Sequence, residues 1–146
     1  MKDFTVKVTA EGERFQRLID ELSRTKLSVG FKPGEHFEED GQDVAEVAIR
    51  NEFGDDNVPS RPFMRQAFEN HDAEISKLIQ KAMKKESANE IMSMIGEGLA
   101  KLMRDEIDNG DFVPNSPVTI AMKGSDKPLI DTGTMKNSIE YWTTKE

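Results

Sequence analysis

The sequence predicts a single α+β domain in which a small antiparallel sheet packs against a long helix pair and shorter helices. Short segments near the N-terminus and at the C-terminal end alternate apolar and polar residues, as half-buried strands do. Between positions 60 and 109 the apolar residues recur at helical spacing. We therefore expect N-terminal strands to pair with a C-terminal strand, and the 146 residues fit one domain that spans 1–146.

Changes in hydrophobic period define the first three elements. Residues 2–9 alternate and predict a strand. Residues 10–24 predict a helix with one apolar face, which consists of Phe15, Leu18, Ile19 and Leu22. Residues 27–31 alternate again and predict a second strand, which ends at Pro33 and Gly34.

An acidic segment, residues 34–43, separates the second strand from the next helix. Its like charges predict a mobile loop or a hairpin tip in solvent; a calcium site is the alternative, but the spacing does not follow the EF-hand pattern. Asp43 and Glu46 have the spacing of a capping box, which predicts a helix to about Phe53. A small-residue face suited to close packing is formed there by Ala45, Ala48 and Ile49.

The stretch 51–68 predicts a stiff joint between two helices. Gly54 follows a helix and suits a cap with left-handed backbone. Pro59 and Pro62 each fix a φ angle, and Ser60 is expected to cap the next helix. A flexible linker does not require glycine, proline and serine at these positions. We therefore expect the two helices to be held at a fixed angle.

Residues 60–85 and 87–109 predict two long helices that pack against each other. Ser87 and Glu90 form a capping box at the start of the second helix, and Gly110 follows its end. Several methionines lie on its apolar side, namely Met92, Met94 and Met103. We interpret this stripe as core, with a partner-binding groove as the alternative.

The C-terminal part combines an irregular segment with a last strand. Residues 111–134 are rich in Pro, Gly, Ser and Asp, which predicts an ordered, irregular loop of a length typical of functional surfaces. Residues 137–144 alternate and predict a strand that pairs with the N-terminal strands.

Charge and composition exclude several function classes. A net charge of −8 argues against a duplex-binding surface, because Lys and Arg supply most nucleic-acid affinity, so we expect no sequence-specific nucleic-acid partner. The absence of cysteine excludes disulfides, thiolate nucleophiles and Cys-based zinc sites. We see neither a signal peptide nor an apolar stretch long enough to span a membrane, and we expect a cytosolic product with no membrane partner.

The residues with catalytic potential do not form a known site. Asp131, Thr132 and Gly133 resemble the catalytic triplet of a retroviral-type aspartic protease, but that chemistry needs two aspartates and a mostly β body downstream. We expect a capped turn instead. His36 and His71 are far apart, and neither belongs to an HExxH motif. We therefore expect no enzymatic activity, no metal and no cofactor.

Three ordered blocks resemble the tail-completion, or neck, proteins of tailed bacteriophages and prophages. They are VGF at 29–31 with VAEVAIRNEFG at 44–54, VPSRPFMRQAFE at 58–69, and NSPVTIAMKGSDKPLIDTGTMKNSIEY at 115–141. Similar proteins carry a helix ending in an EFG-like triplet, a Pro-x-Arg-Pro-Phe turn, a long helix pair, and a Pro-Leu-x-Asp-Thr-Gly segment before a final strand. The resemblance covers most of the chain from Val29 onward, without the acidic segment.

The resemblance implies a virion structural protein that acts in tail completion and head–tail joining. Such a protein is made in the bacterial host cytoplasm and works in the tail or neck of the virion. It is expected to form a homo-oligomeric ring and to contact other neck or tail proteins, such as the terminator, the stopper or the tail tube. A tail terminator ring is the alternative within this class.

The candidate interface residues are Phe53, Arg61, Phe63, Arg65, Asp131 and Thr132. Phe53 and Phe63 are expected to anchor a desolvated contact, and Arg61 to pair with an acidic neighbour through its planar guanidinium. The alternative, which the sequence leaves equally open, is that Phe63 fills the core of its own subunit while Arg61 binds a local carbonyl. Two other function classes remain: an acidic regulator that mimics nucleic acid, and an enzyme with a concave pocket.

Overall fold

The computed structural model describes residues 5–38, 40–116 and 133–146. In chain order the elements are α1 (Ala10–Ser23), β1 (Thr25–Phe31), α2 (Val44–Phe53), α3 (Phe63–Glu69), α4 (Asp72–Ala82), α5 (Ala88–Asn109), α6 (Thr134–Asn137) and β2 (Ile139–Lys145). The fold is α+β, as predicted.

The sheet consists, in the described residues, of β1 and β2 in antiparallel pairing. Thr25 lies opposite Lys145, and Phe31 lies opposite Ile139. The prediction that the C-terminal strand pairs with an N-terminal strand is therefore confirmed for β1.

The predicted strand at residues 2–9 is wrong where the structure describes it. Residues 5–9 have no strand partner, and Val6 and Val8 are exposed; residues 1–4 lie outside the described part. Instead, Thr9 caps the N-terminus of α1, and its hydroxyl accepts a hydrogen bond from the Gly12 N–H at 3.0 Å. An alternating pattern produces a strand only where a neighbour supplies the ladder of hydrogen bonds.

Helix α5 is the element against which the sheet, α3 and α4 pack. Two glycines allow the close approach. A Cβ on Gly96 would lie 2.4 Å from the Tyr141 ring, and one on Gly98 would lie 2.4 Å from Leu78. The core contains Val44, Ala48, Phe63, Ala67, Ala100, Met103, Ile107, Met135 and Ile139. The interpretation of the methionine stripe as core is confirmed at Met103.

The single helix predicted over residues 60–85 is two helices, with a break at Asn70 and His71. His71 has φ −127° and ψ 32°, outside the helical region. Its ring lies within hydrogen-bonding distance of Glu74 and Glu106, and α4 then starts with acidic residues, which suit a helix N-terminus. The apolar period continues across the break, so the pattern alone did not reveal it.

Asp43 and Ser87 cap the N-termini of the helices that they were predicted to start. The Asp43 side chain accepts from the Glu46 N–H at 3.1 Å, and Ser87 accepts from the Glu90 N–H at 3.1 Å. The acidic segment forms a hairpin tip, in which the Phe37 N–H donates to the Gln42 carbonyl at 2.9 Å. This confirms the hairpin alternative for the described residues of the segment.

Most of the predicted loop at 111–134 lies outside the described residues. Residues 111–116 have irregular backbone, as expected. Among the helices of the described part, none is both long enough and apolar enough to cross a membrane.

Candidate functional site

Glu52, in the last turn of α2, holds the joint together. This buried carboxylate accepts hydrogen bonds from the Met64 N–H at 2.9 Å and from the Arg65 N–H at 3.0 Å. Both groups belong to the first turn of α3, where backbone N–H groups have no partner within the helix. The negative charge also suits the positive end of the helix dipole. Glu52 therefore caps α3 from a different helix.

Ser60 does not cap the next helix, contrary to the prediction. Helix α3 starts at Phe63, and the Ser60 hydroxyl donates instead to the Glu52 carbonyl at 2.8 Å. The Arg65 Nη2 donates to the same carbonyl at 2.6 Å. Pro62 occupies the cap position without a side-chain acceptor, which explains why a carboxylate from α2 takes over this role.

The turn between the two helices is closed by its own hydrogen bonds. Gly54 has φ 74°, and a Cβ there would lie 2.7 Å from the Ser60 backbone nitrogen, so the turn requires glycine. The Asp55 carboxylate accepts from the N–H groups of Asn57 and Val58, each at 2.8 Å. These hydrogen bonds within the turn agree with the prediction of a stiff joint.

Arg61 connects the joint to the chain that follows α5. Its side chain is buried, with Nε donating to the Val113 carbonyl at 2.8 Å and Nη2 to the Pro114 carbonyl at 3.2 Å. Burial lowers the pKa of the Arg61 guanidinium from its ordinary value. Arg61 thus binds backbone carbonyls, as the second alternative expected, but these carbonyls are distant in sequence and not local.

The two aromatic candidates lie in different environments. Phe63 is fully buried and meets the Phe31 ring edge-on at 6.1 Å, so it fills the core of its own subunit. Phe53 is 65% exposed, and the Arg65 guanidinium lies 5.0 Å from the centre of its ring. Phe53 and Arg65 therefore remain available at the surface. Asp131 and Thr132 lie outside the described residues, and their role stays a prediction.

An apolar groove of about 280 Å³ runs beside the joint. Its walls are the exposed side of α2, the first turn of α3 and the sheet, and they include Ile49, Phe53, Met64, Val29 and Trp142. Ile49 is 60% exposed, so the expected close packing of the α2 face holds for Ala48 and not for Ile49. The Lys32 ammonium lies 5.8 Å from the Trp142 ring, at the edge of the groove.

Sequence reasoning did not identify this groove. The buried residues of α2 are Val44, Ala48 and Glu52, which form one stripe at i, i+4 and i+8. Ile49 and Phe53 form the adjacent stripe, one residue further along. The available signal was that Val44 and Ala48 lie beside a second apolar row, Ile49 and Phe53, on one short helix. A single core can cover only one of these rows.

His71 bridges the α3–α4 break to α5. Nδ1 lies 3.2 Å from Glu74 Oε1 and Nε2 lies 3.2 Å from Glu106 Oε2. Hydrogen bonds to Glu74 and then to Glu106 raise the pKa of His71. In the described part of the chain, no three His, Asp or Glu side chains are grouped so that they could hold a metal ion.

Comparison of the chain with protein-family models, with curated proteins and with solved structures gives no match.

Proposed function

We propose that this protein is a virion structural protein that acts in tail completion and head–tail joining of a tailed phage or prophage. The observation that carries the proposal is the structure of the joint. The residues shared with neck proteins, the EFG-like triplet and the Pro-x-Arg-Pro-Phe turn, are those that close it: Glu52, Gly54, Arg61 and Phe63. In this chain, the residues of these two motifs thus act together to close the joint between α2 and α3.

A fixed joint suits assembly into a particle. Because α2, the turn and α3 are held by hydrogen bonds before any partner arrives, docking loses little conformational entropy. The joint presents Phe53 and Arg65 beside the apolar groove, where an aromatic and an arginine can anchor a desolvated contact. In the proposed ring, these surfaces face another copy or a terminator, stopper or tail-tube protein.

The charge of the chain agrees with a position next to packaged DNA. A net charge of −8 repels the phosphate backbone, so DNA passing through a neck channel is not retained by the wall. The protein is synthesised in the host cytoplasm under this proposal and becomes part of the finished tail or neck.

Two alternatives make different predictions. A tail terminator ring uses the same surfaces but controls tail length, so its loss gives over-long tails. An acidic regulator that mimics nucleic acid is favoured only by the exposed hairpin tip, which carries Glu35, Glu38 and Asp40. Its binding would weaken steeply with salt, because it depends on exposed charges.

The experiment that tests the proposal is electron microscopy of particles produced without this protein. Tail completion predicts filled heads separate from tails of normal length, and restoration of joined particles by the wild-type chain. Over-long tails would support the terminator alternative. Joined, infectious particles in the absence of the protein would contradict a structural role.

A further inference from the structure

Strand β1 has one edge that no other strand covers in the part of the chain that the structure describes. In an antiparallel pair, residues that exchange hydrogen bonds with the partner alternate with residues whose N–H and C=O point away from it. The Glu146 N–H donates to the Arg24 carbonyl at 2.8 Å, so in this register the even-numbered residues of β1 face β2. The backbone groups of Leu27, Val29 and Phe31 therefore point to the free edge.

This edge is open to a further strand. Among the described residues, the outward N–H and C=O groups of Leu27, Val29 and Phe31 have no hydrogen-bond partner. Proteins usually block such an edge with charged side chains, proline or a bulge. Residues 27–31, LSVGF, contain no charge and no proline, and their pairing with β2 is continuous. Gly30 also has no side chain that could obstruct an incoming backbone.

The apolar groove runs along the same edge. Four consecutive residues of β1, 28–31, line it, and α2 forms the opposite wall with Ile49 and Phe53. Because side chains of a strand alternate between two faces, contact with consecutive residues indicates a groove that follows the edge of β1. A strand added there would bond its backbone to β1 and place alternate side chains against α2. The occupant is thus an extended segment with apolar residues at every second position.

Residues 5–9 of this chain have both properties. Their sequence, TVKVT, alternates, and Thr9 has extended backbone with φ −72° and ψ 164°. The segment has no strand partner in the described structure, and Val6 is 84% exposed and Val8 52% exposed. In a strand the two valines share one side, and Lys7 lies on the other.

We propose that residues 5–9 of one copy add a strand to the free edge of β1 in a second copy. The segment has the same length, five residues, as the edge from Leu27 to Phe31. Val6 and Val8 then enter the groove, so apolar surface of both the segment and α2 is removed from water.

The segment of the same copy is held at α1. Thr9 is both the last residue of the segment and the N-cap of α1, a helix that contacts β1 and α5. A Cβ on Gly12 would lie 3.1 Å from Val8 Cγ1, so Val8 lies against the first turn of α1. A strand that leads into a helix packed on the same sheet needs a connection of about 2–6 residues, and Ala10 follows Thr9 directly. A second copy has no such constraint.

The proposed contact is heterologous, because its two halves are different surfaces. Each copy gives residues 5–9 to one neighbour and receives those of another at β1. Such an arrangement closes into a ring when the rotation between copies permits it. The inference deepens the proposed function and rests on its ring-forming role, for which it identifies the contact between subunits.

Hydrogen–deuterium exchange of the full chain, read at single residues, tests the added strand. The N–H groups of Ser28 and Gly30 face β2 and should exchange slowly at every concentration. Those of Leu27, Val29 and Phe31 should exchange rapidly in dilute protein. At about ten times the midpoint concentration of association, they should exchange about tenfold more slowly. Unchanged exchange of these three groups up to the highest soluble concentration would overturn the inference.

Val6→Asp and Thr5→Asp are a matched pair of variants. They add the same charge at neighbouring exposed positions, on opposite sides of the proposed strand. Val6→Asp should abolish the slowing of exchange, because its carboxylate would enter the apolar groove, whereas Thr5→Asp should retain it. Circular dichroism checks that both variants keep the wild-type fold. Wild-type slowing in Val6→Asp would contradict the proposed contact.

Cross-linking identifies the segment and the copy that supplies it. The chain has no cysteine, so each introduced thiol is unique. A Val8→Cys variant mixed with a differently tagged Ile49→Cys variant should form a mixed covalent dimer with a short bismaleimide. Ile79→Cys, on α4 and 42% exposed in the wild type, replaces Ile49→Cys as the control and should not form one.

A chain that carries both Val8→Cys and Ile49→Cys separates the two possible sources of the strand. Exchange of strands between copies predicts cross-linked dimers and larger species. A cross-linked monomer as the sole product would show that the segment fills the groove of its own copy, and would overturn the inference. Equal cross-linking to Ile49→Cys and Ile79→Cys would overturn it as well.

These results are independent of the particle experiment. Unjoined particles without the protein, together with unchanged exchange at the edge of β1, would leave the proposed function standing and remove this contact. Joined, infectious particles without the protein, together with a slowed edge and the mixed dimer, would retain the contact between copies and contradict the proposed function.

Discussion

The carboxylate of Glu52 accepts hydrogen bonds from both the backbone N–H and the Nε of Arg65, each at 3.0 Å. The two residues belong to different helices, and the same carboxylate also receives the Met64 N–H. One buried side chain in the last turn of α2 thus caps α3 and orients the arginine that covers Phe53. Changes to this relationship should affect stability and the interface surface together.

Glu52→Gln should lower the free energy of unfolding by about 2 kcal/mol, since an amide offers one oxygen in place of two and carries no charge for the helix terminus. Urea denaturation measures this change. Glu69→Gln, on the exposed side of α3, is the matched control and should stay within about 0.5 kcal/mol of the wild type. Equal effects of the two substitutions would show that Glu52 is not the cap described here.

Gly54→Ala should be more destabilising than Gly34→Ala, although both glycines have positive φ. At Gly34 no atom lies within 4 Å of the added Cβ, so only backbone strain of about 1 kcal/mol is expected. At Gly54 the Cβ also meets the Ser60 nitrogen, which should bring the loss to about 3 kcal/mol. Thermal unfolding of the two variants compares them directly, and a larger loss at Gly34 would be inconsistent with the closed turn.

Arg61→Ala should release the segment after α5 from the joint, because the carbonyls of Val113 and Pro114 lose their donor. Hydrogen exchange of peptides covering residues 110–116 should become faster, and the free energy of unfolding should fall by about 2 kcal/mol. Arg17→Ala, on the exposed side of α1, should change neither quantity. Unchanged exchange in the Arg61 variant would mean that other contacts hold this segment.

Stability should depend on the protonation of His71. Its pKa is raised in the folded state by Glu74 and Glu106, so the protonated imidazole contributes stability that is fully present below the unfolded pKa of about 6.5. The contribution is lost as the pH rises through the folded value. Urea midpoints measured across this range should therefore fall with pH in the wild type by more than in His71→Gln. A wild-type pH profile in the His71 variant would contradict the assignment.

The sequence predicted the parts of the fold that depend on local chemistry. The caps at Asp43 and Ser87 form because each side chain reaches a backbone N–H three residues away. The strand patterns of β1 and β2 were confirmed because each strand has a partner and side chains that pack on the core, namely Val29, Phe31 and Ile139. Residues 5–9 show the same alternation without a partner, and there the pattern failed.

The candidate site was predicted only in part, since its chemistry depends on contacts distant in sequence. That Phe53 and Arg65 are at the surface agrees with the sequence interpretation. The role of Glu52 was not visible, because its partners lie beyond a turn whose path had to be known first. The environment of Arg61 depends in the same way on where Val113 and Pro114 pass.

The most direct test of the proposed function is a cryo-electron microscopy map of the neck and upper tail of purified particles. We expect this protein to form a ring where the tail meets the head. Complete particles whose neck and tail contain no density for this chain, or from which the chain is absent altogether, would contradict it.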